Sequence, residues 1–130
     1  MISGIVLTHG PIASAIIEAA AAIVGNGEKI FSLSTSGFSL RGVIEKLEAL
    51  FLSEKLNQGV IIMTSLKGGT CWNSAVAVSK KIPDVEVVSG VNLNMFISFV
   101  TKRGQSGLSE LTEIILQDAI KGINRSQQGT

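Results

Sequence analysis

The chain has 130 residues, enough to bury one continuous core, so a single domain is expected over residues 1–125 with a polar tail at 126–130. Eleven Lys and Arg against ten Asp and Glu leave a net charge of +1 with no dense basic stripe, which argues against a nucleic-acid partner. A single cysteine, Cys71, excludes an internal disulfide, and no Cys/His spacing suits a metal, which fits a reducing compartment.

Met1 runs directly into a β-rich stretch at residues 2–8 with no charged leader ahead of it, and a cytoplasmic chain is expected. Further β-rich stretches follow at 29–34, 59–64 and 85–89. Between the first two, residues 12–24 read as a helix. Ile12, Ile16, Ala19, Ala20 and Ile23 recur at three- and four-residue spacing, and Gly25 is a stop. Glu18 interrupts this segment, which is too short for the roughly 20 apolar residues of a membrane span, so a buried helix is expected. In the next helix Val43, Ile44, Leu47, Leu50 and Phe51 share one face, Arg41, Glu45 and Glu48 the other, and Ser39 is the expected N-cap. Residues 70–82 and 93–103 supply two more helices, and a last one is expected at 108–118 after a glycine-bounded loop.

Strands alternating with helices imply right-handed crossovers. The fold predicted is a three-layer α/β domain with a mainly parallel sheet and helices on both faces. The nearly unbroken apolar strands agree with burial on both faces.

In open α/β sheets ligands bind beyond the carboxyl ends of the strands, which directs attention to four loops. They are Thr8-His9-Gly10-Pro11, Ser34-Thr35-Ser36-Gly37, Ser65-Leu66-Lys67-Gly68-Gly69-Thr70 and Ser89-Gly90-Val91-Asn92. His9 is the sole histidine and lies between a strand and a helix opening on Pro11, where free amides and the helix dipole favour an anion such as a phosphoryl group. An ordinary imidazole is largely neutral at pH 7 and is a nucleophile without a separate base. The plainer alternative is a strand-end histidine bonded to backbone. Gly68 and Gly69 permit amides to converge on an anion, although the loop is not a Walker sequence and also reads as a simple turn with Thr70 as N-cap. Cys71 is read as a packing residue, and Trp72, Met95, Phe96 and Phe99 as core or subunit interface. Asn92 either bonds its loop backbone or takes a left-handed conformation.

Three segments in this order, Ile5-Val6-Leu7-Thr8-His9-Gly10-Pro11, Gly68-Gly69-Thr70-Cys71-Trp72-Asn73-Ser74-Ala75 and Val88-Ser89-Gly90-Val91-Asn92-Leu93, resemble the mannose-family enzyme IIA domains of the bacterial phosphoenolpyruvate-dependent sugar phosphotransferase system. The resemblance implies that His9 accepts a phosphoryl group from the carrier HPr and donates it to an enzyme IIB. Ser65, Gly68, Gly69 and Thr70 would form the phosphate site, with Thr8, Lys67 and Asn92 in support. The membrane is involved only indirectly, through the sugar permease. It further implies a homodimer in which a short last strand, matched by Ile120-Lys121-Gly122-Ile123-Asn124, pairs antiparallel at a sheet edge after exchange between subunits. Where the family has an aspartate that bonds the histidine, this chain has Ser65, which cannot supply a charge. Lys67 and Asn94 also replace a usual apolar residue and a usual proline. Two alternatives follow: a sensing module with little phosphotransfer, and the phosphotransfer subunit of a dihydroxyacetone kinase.

Overall fold

The computed structural model describes residues 1–127. In chain order it places β1 (Ser3–Thr8), α1 (Ile12–Val24), β2 (Ile30–Ser34), α2 (Leu40–Ser53), β3 (Val60–Thr64), α3 (Thr70–Lys81), β4 (Val85–Val88), α4 (Leu93–Lys102) and α5 (Leu108–Lys121). The strands form one sheet in the order β2-β1-β3-β4, and every neighbouring pair is parallel. Lys29, Gly59 and Asp84 stand immediately before β2, β3 and β4, and each has a positive φ, at 55°, 94° and 58°. Their carbonyls accept from Gly4, Ser3 and Val60 N–H at 2.9–3.0 Å, so these left-handed turns both reverse the chain and start each ladder.

Strand alternation sorts the core into two layers. Val6, Ile61, Met63 and Val88 pack against α1, α4 and α5. Ile5, Leu7, Val60 and Ile62 face the other way, onto Val43, Leu47 and Phe51 of α2 and Cys71, Ala75 and Val78 of α3. The three-layer α/β expectation is met, with Met95, Phe96 and Phe99 in the core.

Two local expectations change. Of the Ile12, Ile16, Ala19, Ala20, Ile23 stripe in α1, Ala20 is buried and Ile16 packs half-buried on the core, but Ile12 and Ile23 are 46% and 63% exposed, and Ala13, off the stripe, is the other buried residue. The helix is apolar on nearly every side, so periodicity alone cannot choose its inner face. The second change concerns residues 120–124, which are not a strand within this chain. Ile120 and Lys121 complete α5, because the apolar series Leu111, Ile115 and Ala119 carries the helix past Asp118, and Gly122 N–H closes it on Asp118 and Ala119 C=O. Residues 123–127 have no regular secondary structure, and residues 128–130 of the expected tail lie outside the described residues.

Candidate functional site

The chain runs from β1 to β2 on one side and then crosses to β3 on the other. The carboxyl end of β1 is therefore the switch point where such sheets open a crevice, and His9 is the residue that follows it. Thr8, fully buried, anchors this corner. Its Oγ1 accepts from Ala13 N–H at 2.8 Å and donates to His9 C=O at 3.2 Å. Pro11 occupies the N-cap position of α1 without a side-chain cap, so Thr8 takes over that role from three residues upstream.

His9 itself is exposed. Its Nδ1 lies 3.0 Å from Oγ1 of Thr35, and no described side chain or amide bonds its Nε2. Thr35 follows β2, whose pairing with β1 ends at Thr8 opposite Ser34, and its N–H donates to Thr8 C=O at 3.0 Å. Ser36 Oγ accepts from Gly10 N–H at 3.0 Å. The loop after β2 thus holds the loop after β1 at three points. Sequence reading names this loop but gives Thr35 and Ser36 no role. What brings them in is tertiary, the parallel pairing of β1 with β2 that sets the two loops side by side.

On the other flank, Leu7 pairs with Thr64, so the loop after β3 begins beside Thr8. Ser65 is half-buried and its hydroxyl lies 3.5 Å from Cys71 Sγ rather than on the imidazole. Burial of Cys71 raises its thiol pKa, but the Ser65 hydroxyl and the backbone at Leu66, Ser65 and Trp72 together bring it below the ordinary value. Gly68 has φ 88°, which suits a residue without Cβ, and its carbonyl accepts from Asn73 Nδ2 at 3.3 Å. Gly69, not Thr70, is the N-cap of α3 and leaves that helix uncapped by any side chain. Thr70 is its first residue. Lys67 is exposed, with Nζ 6.0 Å from the Trp72 ring.

Asn92 has extended backbone, φ −134°, and both ends of its amide are engaged. Oδ1 accepts from Met95 N–H at 2.8 Å and caps α4, while Nδ2 donates to Ala119 C=O at 3.1 Å. That ties the fourth loop to α5. The arrangement around His9 is accordingly an exposed imidazole with one nitrogen held and the other open, on a loop flanked by the start of the glycine loop that leads into α3. This is a geometry for receiving an anionic electrophile.

The family model described as the PTS system fructose IIA component matches residues 3–116. The sorbose-specific EIIA component of the phosphotransferase system of Klebsiella pneumoniae is 22% identical over 113 residues, covering 87% of this chain and 83% of that protein. The mannose-specific EIIAB component of Escherichia coli K12 is 24% identical over 118 residues, 89% of this chain but 36% of its own length, so the chain spans about a third of that relative. Among solved structures, the phosphotransferase system component EIIA from Streptococcus agalactiae superimposes with a TM-score of 0.89 at 26% identity, covering 96% of this chain and 97% of its own. This chain belongs to the PTS fructose/mannose-type enzyme IIA family, whose members act in phosphoryl transfer.

Proposed function

We infer that His9 carries a phosphoryl group, taking it from the phosphohistidine of HPr and passing it to an enzyme IIB in sugar uptake or its regulation. The observation that carries this reading is the exposed imidazole at the sheet's switch point with Nδ1 engaged and Nε2 open. In that geometry the incoming phosphorus meets Nε2. The amides and hydroxyls of Ser65, Gly68, Gly69 and Thr70 are the groups assigned to the phosphoryl oxygens, the glycines allowing close backbone approach. Lys67, exposed on the same loop, adds a positive charge. Transfer between two histidines needs no metal, because the P–N bond of the donor already holds the group in reactive form.

Two copies of the chain are further proposed to form the working unit. β4 pairs with β3 on one side and with no described strand of this chain on the other, and Ile120 and Ile123 are 62% and 76% exposed. These features suit association at that edge.

The test is incubation of the purified chain with phosphoenolpyruvate, enzyme I and HPr, followed by intact-mass analysis. One acid-labile phosphoryl mass, absent from His9→Ala, is the expected result. No gain with HPr confirmed phosphorylated would replace this reading by a sensing module that keeps the fold without the relay, a reading supported by Ser65 where the family has aspartate.

A further inference from the structure

Thr35 is buried, 4% exposed, beneath an exposed imidazole, and its Oγ1 lies 3.0 Å from His9 Nδ1. Its backbone is fixed on both sides: N–H donates to Thr8 C=O at 3.0 Å, and C=O accepts from Phe38 N–H at 3.1 Å. The next residue, Ser36, holds Gly10 N–H through its hydroxyl. His9 is therefore bracketed, since its predecessor, its successor and its own ring are all bonded to one loop. The hydroxyl of Ser65, at the position of the family aspartate, is directed to Cys71 instead.

We propose that Thr35 is the positioning residue of His9, holding Nδ1 so that Nε2 is the nitrogen that bonds phosphorus. This rests on the phosphocarrier reading above. In a neutral imidazole one nitrogen carries the proton and the other the lone pair. A nucleophilic Nε2 puts the proton on Nδ1, and Nδ1–H donates to Thr35 Oγ1. During transfer the Nε2 lone pair forms the new N–P bond while the donor's P–N bond breaks, its electron pair returning to the donor nitrogen. A donor ring protonated on its other nitrogen leaves as neutral imidazole, and the positive charge passes to the ring of His9. When that ring loses its Nδ1 proton to water, the lone pair left behind accepts from the Thr35 O–H. A hydroxyl both donates and accepts, so one contact holds the ring in both forms. An ionised carboxylate, an acceptor alone, holds only the protonated one.

The experiment is 15N NMR of the imidazole nitrogens in the full chain at a pH where the ring is neutral, with the rate of phosphoryl transfer from phospho-HPr measured in parallel. Wild type is expected to show the Nδ1–H tautomer. Thr35→Val, close to threonine in volume, is expected to lose that preference and slow transfer about 10–100-fold. Thr35→Ser restores both, and Ser65→Ala keeps the wild-type tautomer. A wild-type Nε2–H tautomer overturns the proposal, as does Thr35→Val with unchanged tautomer and rate. The wild-type spectrum decides even where the valine variant fails to fold. If wild type accepts no phosphoryl group, the phosphocarrier reading fails, while the tautomer still tests the positioning role separately.

Discussion

A Cβ added at Gly4 would lie 2.6 Å from Cε2 and 2.8 Å from Cζ of Phe99. The bare backbone of β1 at that point is what lets the ring of Phe99, fully buried, lie against the central strand. Gly4→Ala is expected to lower stability by about 1–3 kcal/mol, the usual cost of forcing an extra methyl into a filled core. Urea denaturation checks it, and Phe99→Leu in the same chain should recover part of the loss if the two sites share the space. Sequence reading placed Thr8 and His9 at the end of β1 because strand and helix signals meet there. It gave Thr35 no contact with the imidazole, since the partner of Nδ1 depends on which strand lies beside β1, and spacing carries no record of that. The same ignorance of neighbours lies behind Ser65, whose hydroxyl meets a thiol across a helix start.

At the scale of elements, α4 and α5 are pinned by one carboxylate. Asp118 Oδ2 accepts from Ser98 Oγ and from Lys102 Nζ, both at 2.6 Å. The Lys102 ammonium, and after it the Ser98 hydroxyl, hold this carboxyl below the ordinary range. A carboxyl depressed in the folded state adds stability above its unfolded pKa, near ~3.9, and that contribution fades as pH falls toward the folded value. Asp118→Asn is therefore expected to lower stability at neutral pH modestly, the pair being partly exposed, and to flatten its fall below about pH 4 by the same amount, so that the two proteins converge in acid. Urea midpoints across a pH series for both proteins test this. Strand positions were legible to within a residue, because each is a short apolar run closed by a turn. The inner face of α1 was not, since a helix rich in alanine and isoleucine has no polar side to mark the outside. Its rotation is instead set by the bond from Ala13 to Thr8. The end of α5 was read short because Ile120 and Ile123 pass equally for strand residues, and the helix continues on the strength of Ala119 packing in the core.

For the molecule as a whole, the chemistry and a structural clasp lie at opposite ends of the sheet. His9 stands beyond the carboxyl ends of the strands. At the amino ends the guanidinium of Arg103, largely buried, donates to Ile2, Glu28 and Lys29 C=O and lies over the Phe99 ring at 4.9 Å. Burial lowers its pKa and nearby Glu28 raises it, with a net downward shift. No sequence motif announces this clasp, which joins residues 74 to 101 positions apart. The α/β class was legible from alternation alone, whereas strand order and the clasp depend on tertiary packing. The oligomeric state belongs to this scale as well. Sedimentation velocity over a range of concentrations is expected to give a dimer, and a monomer throughout would remove the role proposed for the outer edge of β4. Among the described residues no helix is long and apolar enough to cross a membrane.

The position of β1 in the sheet also bears on how the chain is made. This inner strand is made before the two strands that flank it, with an apolar surface on both faces and both edges bare. One edge waits for Ile30 and its successors, and the other stays open until Val60 arrives. Throughout that interval the nascent chain displays the kind of edge that recruits foreign strands, and long-range parallel pairing closes it slowly. A chain halted before residue 60 is therefore expected to pellet from solution more readily than one extended past β3, because only the second can cover that edge of β1.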